Sequence, residues 1–232
     1  MVEKAQHKKG AKNVAVIVAH PDDETLWSGG TILMHPSYNW FIISLSRKKD
    51  PDRAPKFFKV IELFNAKGIM GALDDGPDQF PLEEAIVEKM VLELLPRDYF
   101  DVIITHDPQG EYTRHRRHEE VSRAVIKLWY FEKIHAGELW TYAYEDGNKK
   151  YYPQPVKNTS ILNNLHHNIW KKKYDIITKV YGFQPGSFEA ETTPKSEAFR
   201  KFRNPAEAYR WLIKKGNLGS TKQYVNNIFE NQ

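Results

Sequence analysis

Three short apolar runs set the strongest constraint on what this chain can become. Residues 13–19 (NVAVIVA), 40–46 (WFIISLS) and 101–105 (DVIIT) are nearly continuous in apolar, largely β-branched side chains. A strand with one wet face alternates; a continuous run of this length suits a strand buried on both faces. Amphipathic stretches separate the runs. Residues 57–67 have helical spacing with Val60, Ile61, Phe64 and Ala66 inward, and Gly68 follows as a helix stop. Residues 82–95 read as a second helix ended by Pro96, residues 119–131 as a third, and residues 139–144 (LWTYAY) as a further strand. Strands separated by helices make βαβ units, so the expectation is an α/β fold with a mostly parallel sheet flanked by helices. Residues 170–181 and 205–215 read as helices, with a Pro/Gly-bearing loop at 182–194 between them. A polar N-terminal tail, residues 1–12, precedes one domain spanning 13–232.

Composition removes several classes of function. A chain of 232 residues can bury one sizeable core. The absence of cysteine excludes disulfides, thiolate zinc sites and cysteine nucleophiles. No apolar run approaches the roughly 20 residues of a membrane helix. The basic N-terminus has no apolar signal-peptide core, so a cytoplasmic protein is expected. A net charge of +4 leans mildly toward anionic partners and falls short of what nucleic-acid binding calls for.

The polar residues that follow two of the strands carry the chemistry. Ala19-His20-Pro21-Asp22-Asp23-Glu24 comes directly after the first run, and the segment from Thr105 through Glu111, Tyr112, Thr113, Arg114, His115, Arg116, Arg117 and His118 directly after the third. In an open α/β sheet, ligands bind in the crevice at the carboxyl ends of the strands, so the fold brings these segments together. Alone, His-Pro-Asp-Asp reads as a turn with a helix N-cap, and the Arg/His run as a solvated basic face. Together they offer His20, Asp22, Asp23, His115 and His118 as nitrogen and oxygen donors. A catalytic zinc takes about three such ligands and leaves a position for water. A hydrolase adds a base and an oxyanion donor. Spacing alone does not say which residue does which. Glu24 reads as structural, His106 as a residue behind the site or in the loop, and His7, His35, His135, His166 and His167 as ordinary surface or packing histidines.

The first cluster, followed by Gly29-Gly30-Thr31, resembles the signature of the PIG-L/LmbE-like family of zinc-dependent N-acetylglucosaminyl deacetylases. Gly110-Glu111-Tyr112 followed by His115 and His118 resembles that family's second motif, which also ends in His-x-x-His. Residues 170–181, then Phe183-Gln184 and Glu197-Ala198-Phe199, loosely resemble its C-terminal region. The resemblance implies a Rossmann-like fold and removal of an acetyl group from an N-acetylglucosamine-like amino sugar or its conjugate. Carried over residue by residue, it implies that His20, Asp23 and His118 hold Zn2+ or another divalent metal. Asp22 becomes the general base toward the activated water, and His115 stabilises the oxyanion.

The chain departs from the family pattern at two places. Thr113-Arg114 are interposed after Tyr112, and Arg116-Arg117 stand between the histidines, where the family motif is shorter. The arginine that many members carry ahead of a helix has Lys56 at its counted position, with Arg53 nearby. Tyr112, Arg114, Arg53 and Lys56 are therefore the candidate substrate contacts. Arg114, Arg116 and Arg117 raise the expectation of an anionic substrate, such as a phosphorylated or lipid-linked sugar. Two other functions compete: a metal-dependent amidase acting on a non-sugar or thiol conjugate, and a non-catalytic nucleotide- or nucleic-acid-binding module. Against the nucleotide module, no G-x-G-x-x-G follows the first strand and no P-loop is present.

Overall fold

The computed structural model describes residues 10–96 and 99–216. Residues 1–9 of the expected tail, His7 among them, and the domain's last residues, 217–232, lie outside the described residues. The chain runs β1 (Asn13–Val18), α1 (Asp23–Met34), β2 (Asn39–Ser46), α2 (Arg53–Leu63), β3 (Lys67–Leu73), α3 (Glu84–Leu94), β4 (Tyr99–Thr105), α4 (Arg116–Tyr130) and β5 (His135–Tyr142). It continues through a two-stranded ribbon of β6 (Tyr144–Glu145) and β7 (Gln154–Pro155), then β8 (Ile161–Asn164) and α5 (His167–Asp175). Helix α5 passes into a π turn (Ile176–Val180), followed by α6 (Phe188–Thr192), β9 (Ser196–Phe202) and α7 (Pro205–Gly216). Among the described residues, no helix is long and apolar enough to cross a membrane.

The main sheet has the order β3-β2-β1-β4-β5-β9-β8. Its first five strands are mutually parallel, and β9 and β8 extend the edge antiparallel. Successive side chains of β1 go to opposite faces, which is why the run is continuous in apolar residues. Ala15 and Ile17 pack with Ile43, Ile103, Val87, Val91 and Val125 beneath α3 and α4. Val14, Val16 and Val18 pack with Ile42, Leu26, Trp27, Phe57 and Ile177 on the other face. The chain leaves β1 toward β2 on one side and reaches β4 on the other. The gap between the ends of β1 and β4 is thus the point where strand order reverses and a ligand crevice opens.

Several expected elements are redrawn. The helix expected at 57–67 lies at Arg53–Leu63, and Gly68 does not stop it. Asn65, with φ 50°, makes the turn, and Ala66 N–H closes it onto the Ile61 carbonyl at 3.0 Å. Gly68 belongs to β3, where a Cβ would come within 2.6 Å of the Ile61 side chain. The run at 139–144 divides into β5 and β6, the 182–194 loop contains α6, and β8 and β9 were not anticipated. Glu197 of β9 explains Gly30: its carboxylate accepts from Gly30 N–H at 2.7 Å and Thr31 N–H at 2.6 Å, and a Cβ on Gly30 would lie 2.4 Å from Leu165.

Candidate active site

The turn after β1 gives its two adjacent aspartates different partners. Asp22 has φ 125°, a conformation that costs a non-glycine residue about 1–3 kcal/mol. It is held there because its N–H donates to Glu24 Oε2 at 3.0 Å. The buried Glu24 is itself anchored by the Tyr181 hydroxyl at 2.7 Å and the Thr25 hydroxyl at 2.6 Å. The Asp22 carboxylate lies 3.5 Å from Arg53 Nη1 and lines the crevice. Asp23 turns to the histidines instead. Its Oδ2 lies 3.1 Å from His20 Nδ1 and 3.3 Å from His118 Nε2, and its Oδ1 accepts from Trp27 Nε1 at 3.1 Å. Burial and the neighbouring Asp23 charge push the Asp22 carboxyl up, against the pull of Arg53. Asp23 is held low, because the imidazoles around it outweigh its burial.

Ring-nitrogen roles follow from the partners. The buried His106 accepts the Ala19 N–H on Nε2 at 3.0 Å, so its proton is on Nδ1, facing Glu111 Oε2 at 2.9 Å. His118 presents Nδ1 to the same Glu111 oxygen at 2.5 Å, which leaves Nε2 facing Asp23 and, at 3.3 Å, His20 Nδ1. His20 presents Nε2 to Asp75 Oδ1 at 3.0 Å. Carboxylates behind ligating histidines fix the tautomer and turn the other nitrogen toward a metal. Glu111 and Asp75 stand in that relation to His118 and His20. Burial raises the carboxyl of Glu111, but the His106 and His118 imidazoles outweigh it and bring it to about 2.

His20 Nδ1, His118 Nε2 and Asp23 Oδ2 thus converge, with mutual separations of 3.1, 3.3 and 3.3 Å. Atoms each about 2 Å from a tetrahedral zinc stand about 3.3 Å apart, so this donor set fits the ion. Its electrostatics agree. Burial disfavours charge on both histidines, yet Asp23 and Asp75 raise His20 to about 9, and Asp23 and Glu111 raise His118 to about 10. The cluster therefore stabilises positive charge at its centre. His106 is close enough to be a donor, but its Nε2 is committed to the Ala19 N–H.

His115 completes the group. Its ring stacks on His118 at 4.0 Å between centroids and meets His20 at 4.7 Å. Burial and the surrounding imidazoles lower its pKa to about 2, so the ring is neutral. Its Nδ1 is buried and has no hydrogen-bond partner among the described residues. The crevice beside it has a volume of about 280 Å³. Asp22, Arg53, Asp75, Tyr112, Phe188 and Glu189 are among its walls. Tyr112 and Phe188 make an edge-to-face aromatic pair at 4.9 Å, and Arg53 lies over the Phe183 ring at 4.4 Å.

The other expected contacts fall elsewhere. Lys56 pairs with Asp52 at 2.7 Å and does not line the crevice. Arg114 lies 3.5 Å from Glu119 and lines a neighbouring cavity of about 400 Å³ beyond the Tyr112 loop. Arg116 donates to the Gln79 carbonyl, and Arg117 is buried with carbonyl and carboxylate partners. Arg117 is thus engaged within the protein, which corrects the expectation of a phosphate contact at that residue, whereas Arg114 and Arg116 stay exposed, Arg116 with one donor spent on a carbonyl. Asp75, Phe188 and Glu189 were not picked out from the sequence, and Glu111 only as part of a motif. For Glu111, a readable signal was its place between His106 and His118 after a buried strand.

Fold and site define an α/β protein with a histidine–carboxylate donor cluster at the point where a mostly parallel sheet reverses its strand order. Residues 15–129, which carry His20, Asp23 and His118, match the family model of GlcNAc-PI de-N-acetylase, PIG-L. The uncharacterized protein L374 of Acanthamoeba polyphaga mimivirus is 23% identical over an alignment covering 70% of this chain and 75% of that protein. Among solved structures, N,N'-diacetylchitobiose deacetylase from Pyrococcus horikoshii superposes with a TM-score of 0.61 at 15% identity, covering 84% of this chain and 85% of its own. GalB, the 4-carboxy-2-hydroxymuconate hydratase of Pseudomonas putida KT2440, superposes with a TM-score of 0.57 at 14% identity, covering 82% and 95%. These likenesses extend the shared fold beyond the residues that the family model matches.

Proposed function

We propose that this protein is a metal-dependent N-deacetylase that hydrolyses the acetamide of an N-acetylglucosamine-like amino sugar or its conjugate. The observation that carries the reading is the convergence of His20 Nδ1, His118 Nε2 and Asp23 Oδ2, with Asp22 and His115 flanking the same crevice. Those three residues would hold a divalent metal, zinc by the chemistry of the donors. When bound, zinc supplies Lewis acidity and a water of lowered pKa. The chain's own groups do the rest. Asp22, beside the donors but turned to Arg53, is placed to take the proton from the attacking water as general base. His115, as a neutral ring, would meet the oxygen of the tetrahedral intermediate with a ring N–H, and the proton taken up by Asp22 is the one that would pass to the leaving amine. Tyr112 and Phe188 give the sugar an apolar face to lie on, while Arg53 and Glu189 offer one donor and one acceptor for its hydroxyls. The PIG-L family match and the deacetylase likeness support this reading.

The hydratase likeness favours a second reading, in which the same base and donor cluster add water to an activated double bond. One screen separates the two. Zinc-loaded protein is offered N-acetylated sugars, sugar phosphates, sugar nucleotides and lipid-linked sugars, with an unsaturated hydroxy-tricarboxylate in a parallel arm. Release of acetate with one equivalent of free amine is expected, and it should be lost in Asp22→Asn while zinc is retained. Hydration of the tricarboxylate without acetate from any sugar would overturn the deacetylase reading in favour of the other.

A further inference from the structure

Arg117 is among the largest fully buried side chains of the protein, at 1% exposure, and it sits one residue before His118 in the first turn of α4. Its guanidinium reaches across to residues 74–82, the connection between β3 and α3. Nε donates to the Asp74 carbonyl at 2.6 Å, and Nη2 to the Phe80 carbonyl at 2.9 Å. Nη1 donates to Glu120 Oε2, and Glu120 Oε1 accepts from Leu82 N–H at 3.0 Å. Arg116 adds a bond to the Gln79 carbonyl. The first turn of α4 therefore grips this connection near both ends and at Gln79.

The gripped segment carries Asp75. Its Oδ1 faces His20 Nε2 at 3.0 Å and accepts from Gln79 Nε2 at 2.7 Å, while its Oδ2 accepts from Arg47 Nε at 2.7 Å. One short turn of helix thus holds His118 directly and sets, through the 74–82 backbone, the carboxylate that orients His20. A planar fork bonding two carbonyls six residues apart fixes their relative position in a way that a flexible ammonium cannot.

We propose that Arg117, paired with Glu120, is a positioning residue for His20. It fixes the 74–82 segment so that Asp75 holds the His20 Nε2–H and leaves Nδ1 turned toward Asp23 and His118. The proposal rests on the reading of His20 and His118 as metal ligands, and it goes beyond that reading in assigning a role to the arginine between the two histidines of the second motif.

A double-mutant cycle on zinc affinity tests it, with competition against a chelator as the readout. Asp75→Asn is expected to weaken zinc binding about 10–100-fold and Arg117→Lys about 10-fold. The double variant should be no weaker than Asp75→Asn alone, because the arginine acts through the aspartate. The proton NMR signal of His20 Nε2–H in the metal-free protein is the second readout. It should be protected from exchange in wild type, exchange faster in Arg117→Lys, and be unaffected by Arg117→Lys once Asp75 is Asn. Should Arg117→Lys fail to fold, Glu120→Gln supplies the same cycle. Additive losses would overturn the proposal, as would unchanged zinc affinity and an unchanged His20 signal accompanied only by reduced stability. If wild type binds no zinc, or His118→Ala binds it normally, the ligand reading fails, and the His20 signal still decides the role of Arg117.

Discussion

Helix α1 borders two buried clusters of charge, and they are built to opposite ends. Midway along it, Glu197 accepts from Gly30 N–H, Thr31 N–H, the Thr31 hydroxyl at 2.6 Å and Lys173 Nζ at 2.7 Å. Both charged side chains of that pair are fully buried. Its geometry is closed, with donors meeting acceptors around a carboxylate that ties β9 and α5 to the helix. At the N-terminus of α1, by contrast, His20 Nδ1 and His118 Nε2 both turn to Asp23 Oδ2 across 3.1–3.3 Å, with the surrounding carboxylates drawing the two rings toward their protonated forms. That arrangement is open to exchange: the proposed divalent cation would take the place of the two protons. A closed network of buried charges contributes architecture, whereas an open one leaves its most favourable interaction to a ligand.

The largest expected effect lies in the open cluster. Asp22→Asn should lower turnover about 10²–10⁴-fold. Urea unfolding should show equal or greater stability, because the substitution removes a buried negative charge beside Asp23. Turnover that survives would remove Asp22 from the base role. In the closed cluster the expectation reverses. Lys173→Met leaves Glu197 buried without its counter-ion and should cost about 3–5 kcal/mol in urea unfolding. The zinc affinity and turnover of the folded fraction should stay close to wild type. A variant of normal stability and lost activity would break the contrast between the two clusters.

Smaller effects sharpen it. Glu111→Gln should weaken zinc binding about 10–100-fold by chelator competition, while the unfolding midpoint changes little. Asp107, beside His106 at the end of β4, gives a pH-dependent term. Burial raises its carboxyl from 3.8 to about 7, with Glu111 adding to the rise and the Gln109 N–H, Arg200 and Lys215 opposing it. The unfolded chain releases this proton near pH 4 and the folded one near pH 7, so stability falls as pH rises through that window. Asp107→Asn should be more stable than wild type at pH 8, by no more than about 4 kcal/mol, and gain nothing below pH 4. Equal pH profiles of unfolding in the two proteins would refute this.

What the chain alone determined is which segments are buried on both faces and which donors stand at their ends. A continuous β-branched run can satisfy its side chains in only one environment, so residues 13–19, 40–46 and 101–105 announced β1, β2 and β4, and the parallel order placed His20 and His118 at one crevice. Strand β3 escaped because Gly68 read as a helix stop, whereas Gly68 and Gly71 permit close approach to Ile61 and Leu45. Strand β9 escaped because Glu197 interrupts its apolar pattern, and its reason for being there is a helix backbone 166 residues away. The tertiary structure alone decided what Arg116 and Arg117 do, that Asp75 stands behind His20, and that Phe188 and Glu189 reach the crevice. Local sequence encodes burial, because burial depends on the side chain itself. It does not encode which carbonyl a guanidinium will find 43 residues away, because that depends on the path of the backbone between them.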